Sequence, residues 1–143
     1  MPIRSRRVAR EWILKILYEI DIAKKNPLEA VADEIEDEPL DKDTADFVKQ
    51  LVEGVSQHRE ELDKRIASLS HEWALDRQPV VDRNILRMCS YEILYCPGVP
   101  PAAAINEAVE LAKKYSTAES GRFVNGVLGA LLDSLAPEEK AHL

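Results

Sequence analysis

The sequence predicts an all-α protein of six to seven helices in two small packed bundles. Apolar residues recur at three- and four-residue spacing along almost the whole chain, the period of helices that bury one face. Alternating apolar and polar runs of the kind that mark strands are nearly absent. Eight prolines break the helical pattern into segments. With 143 residues and 45% apolar side chains, the chain suits one domain over residues 1–143, which at this size removes roughly two-thirds of its unfolded surface from water.

The first helix is expected over residues 5–24, with Ala9, Ile13, Ile16, Ile20 and Ala23 as its core stripe and Trp12 and Leu17 on the flank. Asn26-Pro27 supplies a cap and a first-turn proline for a short helix over 28–36, which Pro39 closes. A third helix begins near Asp43 with Phe47, Val48, Leu51, Val52 and Val55 inward. The polar residues 56–60 bend or break it before Leu62, Ile66, Leu69 and Trp73 resume the stripe. Pro79 marks the next boundary, and Asp82 is placed to cap a helix over 83–95. That helix is apolar on nearly every side, as expected of a hub buried in the middle of a bundle. Residues 96–101, Cys-Pro-Gly-Val-Pro-Pro, cannot be helical. Beyond them, Ile105, Ala108, Val109, Ala112 and Tyr115 form another stripe. Ser116 to Glu119 has capping-box spacing for a last helix that buries Val124, Val127, Leu128, Leu131 and Leu135.

Charge is distributed unevenly around a formal net of −7. Arg4, Arg6, Arg7 and Arg10 make a basic tip in residues 1–10, whereas residues 29–46 carry nine acidic side chains against the single basic Lys42. Bulk charge therefore argues against indiscriminate nucleic-acid coating, and the polarity suits an adaptor between two unlike partners. No apolar run approaches the roughly 20 residues of a membrane span, and no signal-type block follows the N-terminus, so the expected address is the cytoplasm. Cys89 and Cys96, seven residues apart in a predicted helix, are about 10.5 Å apart at the helical rise, too far for a disulfide. The three histidines are too scattered to suggest a metal site, and phosphate loops, nucleophile elbows and zinc-protease signatures are missing. Neither an enzyme nor a bound cofactor is expected.

Arg6, Arg7 and Arg10 are the most informative anomaly. Three cations in the first turns of a helix oppose its dipole, and Arg6 and Arg10 form an i, i+4 like-charge pair. Phosphate binding, where helix N-terminus and guanidinium groups act together, accounts for them better than a solvated tail does. On that reading all three can be replaced without harm to the fold. Phe123, next to Arg122 near a helix start, reads as core on spacing alone, though an aromatic beside a cation also suits base stacking. Gly126 and Gly129 are expected to let another helix approach closely, which makes Gly126→Leu an overpacking substitution. Tyr18, Tyr91 and Tyr95 suit either core or interface.

Four segments together carry a family resemblance. They are Arg6-Arg7-Val8-Ala9-Arg10-Glu11 with Leu17-Tyr18; Val81-Asp82-Arg83-Asn84-Ile85-Leu86-Arg87 with Tyr91-Glu92; Val99-Pro100 with the run from Ala104 to Lys113; and Phe123-Val124-Asn125-Gly126-Val127-Leu128. In this order and spacing, over residues 4 to about 132, the chain resembles the NusB family of bacterial transcription antitermination factors. Val8 departs from the family pattern, where many members carry a further basic residue. The resemblance implies a partner, the small-subunit ribosomal protein NusE, and joint binding of boxA-type single-stranded RNA from ribosomal RNA leaders, within an RNA polymerase elongation complex containing other Nus factors. It implies an RNA side made of Arg4, Arg6, Arg7 and Arg10 together with Glu119, Ser120, Arg122 and Phe123, which moves Phe123 from core to RNA contact. It implies a NusE side made of Tyr18, Val81, Asp82, Arg83, Arg87 and Glu92, so that Asp82→Lys damages the protein pair first.

Two rival readings differ in class. The N-terminal RNA-binding module of ribosomal RNA cytosine methyltransferases looks similar, but such an enzyme needs a Rossmann-like domain that these 143 residues do not contain. A scaffold that binds only protein is the other, and it is separated from the first by whether RNA binds in the presence of NusE. A homodimer is as compatible with the sequence as a monomer, because an uncovered apolar face and a self-complementary one look the same in one dimension.

Overall fold

The computed structural model describes residues 3–37, 40–70 and 78–140, with side chains from Arg6 onward except that of Asp37; Pro39 and Trp73 lie outside the described residues. Eight helices occupy the described residues: α1 (Ile3–Ala23), α2 (Pro27–Asp37), α3 (Lys42–Gln57), α4 (Arg59–Leu69), α5 (Val80–Tyr95), α6 (Pro101–Tyr115), α7 (Ala118–Ser134) and α8 (Pro137–Lys140). The one beyond expectation is α8, a single turn after Leu135. No helix among the described residues is long and apolar enough to cross a membrane.

Local chemistry sets most boundaries. The Leu28 N–H donates to Asn26 Oδ1 at 2.9 Å, so the Asn-Pro pair starts α2 as the sequence predicts. Asp41 caps α3, accepting from the Thr44 N–H at 2.8 Å. The expected break falls at His58, whose φ of −103° and ψ of 12° separate α3 from α4. Two caps differ from expectation. Pro79 is the N-cap of α5, so the helix starts at Val80 and Asp82 lies inside its first turn. In α7 the cap is Thr117, one residue later than the box predicts, and its hydroxyl accepts from the Ser120 N–H at 2.9 Å.

The hub is α5. It packs against α1 and α3 on one side and against α4, α6 and α7 on the other, while α1, α2 and α3 also pack on one another and α6 on α7. Two bundles thus share one central helix. Ile13, Ile16, Leu51, Leu62, Ile66, Ile85, Leu86, Met88, Leu128 and Leu131 are fully buried between them. Leu14 and Leu17 join this core, because α1 is covered by α2 and α3 as well as α5. Ala23 and Tyr115, expected in the core, are exposed at the C-terminal ends of α1 and α6.

The glycine expectation also needs correction. A Cβ at Gly126 or Gly129 meets nothing within 4 Å, because both lie on the outer side of α7. The close approach is at Gly54 of α3, where a Cβ would fall inside the Tyr91 ring of α5. Tyr91 stacks on Tyr95 at 5.1 Å, and Tyr95 in turn on His58 at 4.3 Å, while the Tyr95 hydroxyl donates to Glu61. Burial and that carboxylate push the Tyr95 phenol up to about 12. Both cysteines are free, and burial pushes the Cys96 thiol up to about 11.

Candidate nucleic-acid and partner interfaces

The basic tip divides into different fates. Arg6 places its guanidinium 5.1 Å from the centre of the Phe47 ring on α3. Arg7 reaches across to α6, where Nε and Nη2 donate to the two carboxylate oxygens of Glu107 at 3.1 and 2.8 Å. Beside it, Lys114 of α6 lies 3.1 Å from Glu11, and the Tyr115 hydroxyl donates to the same carboxylate. Arg7 and Glu11, four residues apart on α1, thus each make a cross-link to α6. Arg4 lies within α1, but its side chain is outside the described set.

Arg10 is not at the surface. It is only 5% exposed and binds Glu92 of α5, itself 1% exposed, with Nη2 to Oε1 at 2.7 Å and Nε to both oxygens at 3.2 Å. Burial alone lowers the Arg10 pKa, but the hydrogen bond and charge of Glu92 outweigh it and raise it above its ordinary value. Arg10 and Glu92 therefore tie α1 to α5, and neither presents a group to RNA or to a partner in this conformation. The like-charge conflict with Arg6 is relieved by the same carboxylate.

A second buried network explains the arginines of α5. Asp21, near the end of α1, accepts from Arg83 at 2.7 and 2.8 Å, from Asn84 at 3.0 Å and from Arg87 at 3.0 Å, with Arg59 of α4 at 3.3 Å. Arg87 also grips Asp63 of α4 through Nε and Nη2, at 2.7 and 3.0 Å. Burial pushes the Asp21 carboxyl up, but the bonds from Arg83 and Asn84 and the charges of Arg87 and Arg83 hold it far below the usual carboxylate range. Asp82 is buried too, with its Oδ1 unpartnered among the described residues. Of the partner-side residues, Asp82, Arg87 and Glu92 are therefore interior groups, and Arg83 is mostly so. The substitution Asp82→Lys would exchange a buried acid for a longer, basic side chain in the interior rather than probe a surface.

Tyr18 and Val81 do meet at a surface. They line a groove of about 600 Å³ with Val8, Trp12, Leu14 and Tyr115, edged by Glu11, Lys15 and Glu19. Val8, Tyr18 and Tyr115 are 45%, 42% and 45% exposed, so the groove presents large apolar side chains to water. The family resemblance singled out Tyr18 and Val81, whereas Val8, Trp12 and Tyr115 were not expected here. The signal was there: at i, i+4 and i+10 along α1, Val8, Trp12 and Tyr18 are neighbours on one helix side. At the start of α7, Glu119 and Arg122 are exposed and Phe123 is half-buried, packed against the core. Ser120 is buried, its hydroxyl spent on Thr117 and Ser116 at 3.1 and 2.9 Å. Helix α6 connects this turn to the tip, since Gly121 sits against Val109 and Lys113 while Arg7 meets Glu107.

Comparisons with known proteins agree on one family. The NusB family model matches residues 7–133. The chain is 48% identical to a transcription antitermination protein NusB of Symbiobacterium thermophilum over 136 residues, covering 90% of this chain and 89% of that protein. It is 42% identical to the NusB protein of Desulfatibacillum aliphaticivorans, with 96% of each covered. A structure of T. maritima NusB superposes with a TM-score of 0.87 at 36% identity, covering 100% of this chain and 99% of that one. A crystal structure of the antitermination factors NusB and NusE in complex with double-stranded RNA matches with a TM-score of 0.86 at 32% identity, over 94% of this chain and 100% of that one. The chain belongs to the NusB family, and the curated relatives it matches are transcription antitermination proteins.

Proposed function

We propose that this chain pairs with a NusE-type ribosomal protein and that the pair binds boxA-type RNA of ribosomal RNA leaders, letting an RNA polymerase elongation complex with other Nus factors pass terminators. The observation that carries the proposal is the double character of α1. Its first turns present Arg6 and Arg7, and its adjoining side presents Val8, Trp12 and Tyr18 on an apolar groove. The exposed Arg7 and the half-buried Arg6 take the RNA backbone, with Arg122 and the half-buried Phe123 as further contacts and Glu119 at the margin. The groove, bounded by Tyr18 and Val81, takes an apolar segment of NusE. A relative at 32% identity solved with both NusE and RNA supports the pairing of these two ligands on this fold.

Charge makes the two events cooperative. A chain at −7 repels a polyanion except at its tip, so a basic ribosomal protein that covers acidic surface and adds cations raises RNA affinity. Linkage requires RNA to strengthen the protein pair by the same factor, typically about 5- to 150-fold. The test is a thermodynamic box at one salt concentration, with boxA-type RNA and NusE-type protein, for the parent and Tyr18→Ala. The expected result is coupling in the parent and loss of NusE affinity in Tyr18→Ala with partner-free RNA binding intact. Equal RNA affinity with and without NusE would refute the coupling.

A further inference from the structure

The exposed arginine on which the RNA reading relies most is already occupied. The Nε/Nη2 edge of the Arg7 guanidinium is engaged by Glu107 in two parallel hydrogen bonds, at 3.1 and 2.8 Å. That fork is the geometry a guanidinium adopts on two phosphate oxygens. The Arg7 side chain is 60% exposed and that of Glu107 only 17%, so the acid is the fixed half of the pair and the arginine the movable half. The Arg7 hydrogen bond and charge hold the Glu107 carboxyl below its ordinary value, which keeps it ionised at neutral pH. Glu11 and Glu110 add negative charge facing the same guanidinium, and Arg10, the other cation whose charge reaches Glu107, is committed to Glu92. Two of the three described arginines of the tip are therefore neutralised in the free protein.

We propose that Glu107 is a specificity-determining residue for RNA capture, a built-in stand-in for phosphate that Arg7 must release before its Nε/Nη2 edge forks onto an RNA backbone. The proposal rests on the RNA reading of the tip given above. An RNA that offers Arg7 only a phosphate replaces one oxyanion by another and gains little. An RNA that also contacts the α7 start, or arrives with NusE, supplies the surplus that moves Arg7. Glu107 thus suppresses capture of arbitrary RNA by the partner-free protein and leaves the exchange open to the intended ligand.

Fluorescence anisotropy with polyuridylate and with boxA-type RNA tests this on Arg7→Gln, Glu107→Gln, the double variant, and Glu110→Gln. Glu110, in the same helix and 3.7 Å from Lys113, controls for loss of one negative charge without loss of the fork. Glu107→Gln is expected to tighten polyuridylate binding about two- to five-fold, the equilibrium worth of an exposed ion pair. It should also steepen the salt dependence, and both effects should vanish in the Arg7→Gln background. A gain equal to that of Glu110→Gln, or one that persists without Arg7, would reduce Glu107 to bulk charge and overturn the proposal. The parent protein provides a check that needs no variant: the Arg7 Nε–H NMR resonance should move when RNA saturates, and a stationary resonance contradicts the exchange. Failure of the two readings is distinguishable. If Arg7→Gln leaves RNA affinity unchanged at every salt concentration, the tip itself is misassigned; if it weakens binding while Glu107→Gln gains nothing, only the role of Glu107 falls.

Discussion

Arg7 and Arg10 stand three residues apart on α1, about 60° apart around its axis and ~4.5 Å along it. Arg10 lies where α5 closes over α1, and there it is sealed with Glu92. Arg7 lies one turn nearer the end, where it meets α6, and its own side of the pair with Glu107 stays in water. Depth along the helix separates them, and the separation changes the meaning of one residue type. A buried ion pair is costly to break from either side, because the remaining charge is stranded. An exposed pair exchanges its anion readily. The basic tip is thus partly a fastening of the fold and partly a surface for ligands.

The interior side of this comparison predicts the largest effects. Asp21→Asn keeps the side chain's shape but removes the charge facing Arg59, Arg83 and Arg87, and urea denaturation should show a loss of about 3–5 kcal/mol. The sign of its pH dependence follows from the depressed Asp21 pKa. Its contribution is complete above the unfolded-state value of about 3.9 and is lost as pH falls toward the folded value. The stability gap between parent and Asp21→Asn should therefore narrow below about pH 4. A gap of constant size across that range would mean that the ion cluster is not its source.

Helix packing predicts the next effects. Gly54→Ala forces Tyr91 off its site between α3 and α5 and should cost about 1–3 kcal/mol by overpacking. Gly126→Ala enters open space on an exposed helix and should raise stability by up to about 1 kcal/mol through helix propensity. Thermal melts of the two variants sharpen the contrast between covered and uncovered helix faces, and a destabilised Gly126→Ala would restore the close crossing that sequence spacing suggested.

Period and punctuation made the architecture legible. The apolar stripes of α1, α3 and α7, the break at His58, and the all-round apolarity of α5 are local properties that survive in the fold because tertiary packing reinforces them. Pairing between distant elements was not legible. Nothing local links Arg10 to Glu92 or Arg7 to Glu107, so a run of arginines at a helix start reads as one feature when it is two. One clue was available. Asp21 continues the Ile13–Leu17 line at i+4 spacing, and a carboxylate on a buried stripe demands cationic partners from elsewhere in the chain. The α5 arginines answer that demand, which is why residues that the family resemblance assigns to the NusE side turn out to be interior.

The most direct test of this division sets Arg7→Gln beside Arg10→Gln, each measured by thermal melting and by the salt dependence of boxA-type RNA affinity. Arg7→Gln should melt like the parent and bind RNA more weakly, its log–log salt slope shallower by about 0.7 for one lost single-strand phosphate contact. Arg10→Gln should lose about 3–5 kcal/mol of stability, since Glu92 is left unpaired in the core. Studied at a temperature where it remains folded, it should keep the parent's salt slope. An Arg10→Gln protein of parental stability whose salt slope falls by the same amount would show that Arg10 leaves Glu92 for RNA, and the division of the tip into fastening and ligand surface would be contradicted.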